Sequence, residues 1–461
     1  MVATHDDKEE WFRMTRKIKV IGAGLAGSEC AFQLARKGHH VDLFEMRPVK
    51  MTPAHQSADL AELVCSNSFR SSATANAVGL LKEEMALLGS MVLRCGEEAR
   101  VPAGDAFAVD RERFAAAVTA AIASEPNITL HREEVTSLDR GDADYLVVAT
   151  GPLTSQPLFD AINDFLGRDG LYFYDAIAPI VAADSLDMTK LYWKSRYGKG
   201  SGTDYLNAPM TQAEYEAFIA ALLSAELYPL HDFEQAVHFE GCLPVEEIAS
   251  RGIDTLRFGP MKPVGLEHPV TGERPHAVVQ LRKEDLSDEY FNLVGFQTKM
   301  KIGAQQRVIR MIPGLENATF ARFGSMHRNT FINGPRHLTP TFRANSDDRV
   351  FFAGQITGVE GYVESAAVGL LVARYLEDPT PLPYHTALGA LGRHVAESSP
   401  DRYQPSNVTW GLIEDKVGRV KKIEKRDRQA KLALNTVREV RSAGVPPAAD
   451  GRPRPEEILR S

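Results

Sequence analysis

Three stretches of this chain share a short apolar run that ends at glycine, and in the first and third helically spaced apolar residues follow. In the first, KIKVI at 17–21 reads as a strand and Gly22, Gly24 and Gly27 follow at G-x-G-x-x-G spacing. Leu25 to Lys37 then reads as a helix that Gly38 stops, and VDLFE alternates as a second strand ending at Glu45. In the second stretch, DYLVVATG at 144–151 is an apolar strand running into Gly151. The third, 349–376, is a strand, a turn at Gly354 and Gln355, and a helix with Val363, Ala367 and Leu370 on one face. The pattern predicts an α/β fold around a βαβ unit.

Residues 190–300 have a different texture. A Gly/Lys/Ser loop (KSRYGKGSGTD) precedes a helix near 211–224 and a Pro/Gly-punctuated, strand-like stretch from 229 to 296. The expected organisation is an N-terminal extension (1–15), a dinucleotide-binding domain in two parts (16–189 and 301–378), and an α+β insertion (190–300) between them. A helical C-terminal segment (379–441) becomes basic, and a Pro-rich tail (442–461) is expected to be disordered. No internal repeat is visible.

The 461 residues leave room for two or three domains, and 44% hydrophobic with 25% charged residues sits near the globular average. No run reaches the roughly 18 apolar residues of a membrane span, and the start MVATHDDKEEWFRMTRK lacks the apolar core of a signal peptide. Cys30, Cys65, Cys95 and Cys242 form no CxxC pair, which points to neither a metal site nor a disulfide framework and fits a reducing cytoplasm. With 61 acids against 53 bases the net charge is −8, which taken alone disfavours a nucleic-acid partner. The distribution changes that picture: residues 416–441 hold ten basic and three acidic residues. Lys421, Lys422, Lys425 and Arg426 lie in the densest part, where a solvated helix face is the plainer alternative to RNA contact. Lys194, Arg196 and Lys199 add a basic loop in the insertion.

The glycine motif has a physical logic. Gly22 permits the tight turn, Gly24 lets backbone approach a pyrophosphate, and Gly27 allows close helix–strand packing. Ala23, Leu25 and Ala26 lie between them, where the helix N-terminus presents N–H groups to phosphate. Glu45, 18 residues beyond Gly27, is placed to accept hydrogen bonds from a ribose. The strand ending at Ala149-Thr150-Gly151 and the late turn at Gly354-Gln355 resemble the layout of glutathione-reductase-like flavoproteins. That layout implies a Rossmann-like FAD-binding domain, with a C-terminal helix aimed at the flavin. There is no second G-x-G-x-x-G, so no separate NAD(P)H domain is expected.

Cys30 and Cys95 read as structural. Cys65 stands in a polar segment, LVCSNSFRSS, and Cys242 stands just before a helix start in FEGCLPVEEIASRG. A helix dipole would stabilise a Cys242 thiolate while Glu240, Glu246 and Glu247 oppose it, so the residues alone leave either cysteine's reactivity open. His327, in GSMHRNTF, offers a flat face for a pterin, and Arg328 and Asn329 offer hydrogen bonds to ring amides. A histidine serving only the loop is the alternative.

Taken together, GAGLAGSE, EMRP, LVCSNSFRS, GCLPVE, RFGPMKPVG, FQTKMK, MIPGLENATFARFGSMHRNTFI, FFAGQITGVEGYVESAAVGLLVA and NVTWGLI closely resemble one family. It is the folate- and FAD-dependent tRNA (uracil-5-)-methyltransferases, and the resemblance covers roughly residues 16–440. It implies methylation of carbon 5 of the T-loop uridine, with methylenetetrahydrofolate as carbon donor and NAD(P)H reducing the FAD. It also implies that Cys65 and Cys242 are the two catalytic thiols and that the His327 segment serves folate. Carbon 5 of uracil is a poor nucleophile until a thiolate adds at carbon 6, which fits Cys242. Cys65 would then handle the proton or protect the methylene. The alternatives are the same chemistry on ribosomal RNA, a flavin reductase without RNA, and a flavin-bearing RNA binder without turnover.

Overall fold

The computed structural model describes residues 15–167, 170–176, 178–228, 243–285, 287–324, 326–418, 420 and 422–443; for 170–176, 326–329, 422–423 and 443 the backbone alone is described. The N-terminal extension and the Pro-rich tail fall almost wholly outside this range. β1 (Lys17–Ile21) buries Ile18 and Val20 completely, and after the glycine turn α1 (Leu25–Arg36) returns across the sheet. Gly38, at φ 93°, takes the left-handed conformation that ends the helix and admits the next strand.

β2 (His40–Phe44), β3 (Ile128–His131), β4 (Tyr145–Val148) and β5 (Val350–Phe352) complete a five-stranded sheet in the order β5-β4-β1-β2-β3. Every pairing in it is parallel. From β1 the chain first builds outward to β2 and later returns on the other side with β4. This leaves a crevice at the C-terminal strand ends, where ligands bind in such sheets.

α2 (Tyr362–Tyr375) follows β5 and packs across α1. The approach is backbone-close: a Cβ on Gly369 would lie 2.1 Å from the Ala26 carbonyl oxygen. The single apolar face expected for this helix is exceeded, because α2 is buried continuously from Val363 to Ala373. It is enclosed by α1 on one side and by the helices Ala77–Leu87 and Ala387–Glu397 on others.

A second, antiparallel sheet has six strands in the spatial order 192–193, 205–210, 277–283, 290–293, 180–182 and 320–322. Leu206, Ala208, Val279 and Leu281 point from it into a separate core shared with Tyr215, Phe218 and Leu222 of the helix Gln212–Leu223. Thr211 and Glu214 close a reciprocal capping box at that helix's start, which is why the helix begins where the sequence places it. Two strands of this sheet lie outside the expected 190–300 span. Strands of three residues, such as 180–182 and 320–322, carry too little alternation to be recognised in sequence. A two-stranded antiparallel ribbon, 170–176 with 326–332, runs beside the parallel-sheet body, to which Thr330 binds through Pro152.

Among the described residues of 379–441, the helix Ala387–Glu397 is followed by mostly irregular backbone before a last helix begins. α3 (Lys422–Ala443) buries Ala430, Ala433 and Val437 and packs on the helix Ala77–Leu87. From that same helix the buried Glu84 carboxylate accepts the N–H groups of Ala387 and Leu388, at 2.9 and 2.8 Å, satisfying the orphan donors of another helix start. No helix of the described residues is long and apolar enough to cross a membrane.

Candidate active site

The C-terminal ends of β1, β2, β4 and β5 open into one cleft of about 1010 Å³. Gly22, Gly24, Leu25, Ala26, Glu45, Gly151, Gly354 and Gln355 all border it, so eight of the residues read from sequence as cofactor contacts share one cavity. The glycines divide their labour. A Cβ on Gly22 would meet the Ala149 carbonyl oxygen at 2.6 Å, and one on Gly27 would meet the Gly22 carbonyl oxygen at 1.7 Å. Beside Gly24 there is open space, the gap a pyrophosphate needs. Gly24 caps α1 and Gly361 caps α2, neither through a side chain, so both helices direct uncapped N–H groups toward the same end of the sheet.

Glu45 closes the far wall. Its carboxylate accepts the Ala23 N–H at 3.1 Å and pairs with the Arg47 guanidinium at 2.9 Å. Burial pushes this carboxyl up, but Arg47 and the backbone N–H groups outweigh it and hold it below its ordinary value. Arg47 also reaches Glu62, and His55 lies beside them in the cleft. Burial and the neighbouring Arg47 lower the His55 pKa to about 4, which keeps the ring neutral. A glycine-lined gap at two helix starts, with an ionised acid beyond it, fits the diphosphate and ribose of FAD, and the cleft's length leaves the α2 end for the ring system.

Tyr362, the first residue of α2, borders the cleft and its hydroxyl accepts the N–H groups of Cys65 and Ser66 at 2.7 and 3.2 Å. The half-buried Cys65 is therefore one side chain away from the cleft wall. Arg111 grips the same loop, donating to the carbonyls of Leu63 (2.9 Å) and Cys65 (3.1 Å) and to the Glu284 carboxylate (2.7 Å). Asn67, fully buried, donates to the Lys283 carbonyl and accepts from Arg282 Nε, both at 2.9 Å. The thiol loop is thus stitched to the last residues of strand 277–283 and its successor Glu284, part of the second sheet. Cys30 and Cys95 are buried, and burial pushes both thiols up, Cys95 to about 11.

Cys242 lies outside the described residues. The helix Val245–Ser250 that follows it is anchored: Val245 N–H donates to the Gln297 carbonyl at 2.7 Å, and the Glu246 carboxylate accepts from Thr298 and from the Lys299 N–H. His327, Arg328 and Asn329 lie on strand 326–332 opposite Asp175, Tyr174 and Phe173, with their side chains outside the description. The next residue, Thr330, donates its N–H to the carbonyl of Pro152 at the cleft rim, 2.9 Å away, so this strand runs past the cleft. Lys421 lies outside the described residues and Lys422 is described in backbone only. Lys425 pairs with Asp415, Arg428 with Glu424 and Lys431 with Asp427, while Arg426 is exposed and has no ion-pair partner among the described residues. Sequence reasoning did not single out Tyr362, Arg111 or Arg47. A tyrosine directly after Gly361 at a helix start was one available signal and the place of Arg47 in the EMRP run was another; Arg111 left none.

The chain matches the family model "Glucose inhibited division protein A" over residues 17–378. It is 56% identical over 91% of its length, and 98% of the relative's, to "Methylenetetrahydrofolate--tRNA-(uracil-5-)-methyltransferase TrmFO" of Geobacter sulfurreducens. To the protein of the same name from Bacillus cereus it is 52% identical over 92% of its length and 98% of the relative's. Among solved structures it resembles GidA of Aquifex aeolicus, with a TM-score of 0.64 at 15% identity, covering 93% of this chain and 75% of that one. That likeness supports the α/β fold. Matched along almost their entire length at more than half identity, the chain belongs to the methylenetetrahydrofolate--tRNA-(uracil-5-)-methyltransferase family.

Proposed function

We infer that this protein methylates carbon 5 of a uridine in tRNA, the T-loop uridine, with methylenetetrahydrofolate as the carbon source. Bound FAD, reduced by NAD(P)H, supplies the electrons that turn a methylene into a methyl group. The observation that carries the reading is the direct tie between a cysteine loop and the wall of a dinucleotide cleft, in a chain more than half identical to enzymes of that name.

Within this function we assign the addition at uracil carbon 6 to the Cys242 thiolate. Once carbon 6 carries sulfur, carbon 5 becomes an enolate carbon able to take up the methylene. Loss of the carbon 5 proton breaks the bond between the methylene and its carrier and leaves an exocyclic methylene; a hydride, which reduced flavin would supply, adds to that carbon and expels the Cys242 thiolate, restoring the ring. Cys65 is assigned to the proton or to protection of the methylene, supported by the contact of its backbone with Tyr362. Gly22, Ala23, Gly24, Leu25, Ala26, Gly27, Glu45, Gly151, Gly354 and Gln355 hold the FAD, and the His327-Arg328-Asn329 strand serves the folate. Lys421, Lys422, Lys425 and Arg426 meet the RNA backbone. The parallel sheet reads as a glutathione-reductase-type domain, the six-stranded unit as an insertion into it, and the free thiols suit a reducing cytoplasm.

The test is alanine substitution of each cysteine, assayed with labelled methylenetetrahydrofolate and unmodified tRNA. Both variants should lose methyl transfer, and full activity in either removes its assignment. A covalent adduct with 5-fluorouracil-substituted RNA should form with the parent protein and vanish in Cys242→Ala. His327→Ala should keep FAD and lose folate affinity; unchanged folate binding would refute its role.

A further inference from the structure

Away from the flavin cleft, an open hollow of about 910 Å³ is bordered by Arg70, Asn76, Trp410 and Arg426. These residues come from separate parts of the chain: the strand Ser68–Ser71 just after Cys65, the residue that starts the helix Ala77–Leu87, the loop 408–411, and α3. No carboxylate borders the hollow among the described residues.

Each member is held or left open in a way that suits a ligand. Arg70 sits at a left-handed φ of 61°, its N–H bound to Ser68 Oγ at 3.0 Å. Its guanidinium pairs with Glu364, a fully buried carboxylate in the first turn of α2 that also accepts the Val408 N–H at 2.8 Å. The other Glu364 oxygen has no hydrogen-bond partner among the described residues. Arg70 is therefore fixed as the counter-ion of a buried acid, while guanidinium donors not spent on Glu364 remain at the hollow. The Trp410 indole N–H donates to the Ala75 carbonyl at 2.8 Å, which fixes the plane of the ring. Arg426 contributes a charge without an ion-pair partner among the described residues, while Lys425, Arg428 and Lys431 pair with Asp415, Glu424 and Asp427. A fixed flat ring, an amide, oriented donors and a cation unpaired among the described residues match a planar base joined to phosphate.

The position matters as much as the chemistry. The first turn of α2 separates the two cavities: Tyr362 and Ser365 border the flavin cleft, and Glu364 holds the arginine of the hollow. An RNA strand bringing its uridine to the cysteines passes close to this turn.

We propose that the hollow holds a nucleotide of the RNA substrate other than the one modified, its base against Trp410 and its phosphate met by Arg426 and the spare donors of Arg70. This rests on the reading of tRNA as substrate and adds a contact that α3 alone does not provide. The test uses the full FAD-loaded protein and unmodified tRNA, with affinity and tryptophan fluorescence measured across a range of salt concentrations. Trp410→Leu should weaken binding on the order of tenfold, in protein that retains its full complement of FAD. Trp410→Phe should remove the part of the tryptophan quenching caused by tRNA. Arg426→Ala, an exposed change with no folding role, should lower the salt slope by about one. Parental affinity, slope and quenching across these variants would overturn the proposal. A parent protein that methylates no tRNA would instead overturn the functional reading beneath it.

Discussion

His55 illustrates how the cleft constrains single residues. Placed among Arg47, Glu45 and Glu62, it is kept neutral, its pKa lowered from 6.5 to about 4 by burial and then by Arg47. Because the folded state depresses this pKa, the associated stability is fully present above pH 6.5 and is lost as pH falls toward 4, when the unfolded chain binds a proton that the folded site refuses. The largest possible contribution is about 3 kcal/mol. His55→Gln should accordingly flatten the fall of the melting temperature between pH 6.5 and 4; an unchanged acid limb would show that the ring is not held neutral. At this scale the glycines and Glu45 were legible, because each serves a need local in sequence: a turn, a close approach, a strand end. Tyr362 and Arg111 were not. Their partners in the cysteine loop lie 297 and 46 residues away and are backbone atoms, which leave no residue-type signature, and Glu284, the acid that Arg111 also binds, is 173 residues away.

At the level of elements, the cofactor cleft depends on α1 and α2 crossing with almost no side chain between them. Gly369→Ala would drive a methyl into the Ala26 carbonyl and push α1 from its place beside the phosphates. The expected outcome is a loss of about 1–3 kcal/mol of stability together with weakened FAD retention, read by thermal melting and by flavin absorbance after gel filtration. The cysteine loop held by Arg111 is the second such element. Arg111→Lys keeps a positive charge near Glu284 but cannot bind the carboxylate and two carbonyls together. Turnover should fall roughly ten- to a hundredfold while FAD content is kept; parental turnover would show that the clamp does not position the thiol. The βαβ unit, the late glycine turn and the capped helix at 212 were readable because each repeats a period or a cap. The outer strands of the second sheet were not, since three residues give no period.

For the whole molecule, the mean charge is the least informative number. The chain outside 416–441 carries a net −15, so its acidity belongs to the body, and an excess of positive charge gathers on one C-terminal segment. The structure refines this further, because much of the charge along α3 is matched by neighbouring carboxylates, which leaves Arg426 open beside the hollow at Arg70 and Trp410. The molecule thus brings together a dinucleotide cleft, a cysteine loop tied to its wall, and a cationic, aromatic hollow across one helical turn. The most direct measurement supplies purified protein with NAD(P)H, methylenetetrahydrofolate labelled in the methylene carbon, and separate unmodified tRNA and ribosomal RNA, followed by nucleoside analysis. The expected result is label in 5-methyluridine of the tRNA alone, dependent on the reduced nicotinamide. Label confined to ribosomal RNA, or flavin oxidation with no labelled nucleoside, would contradict it.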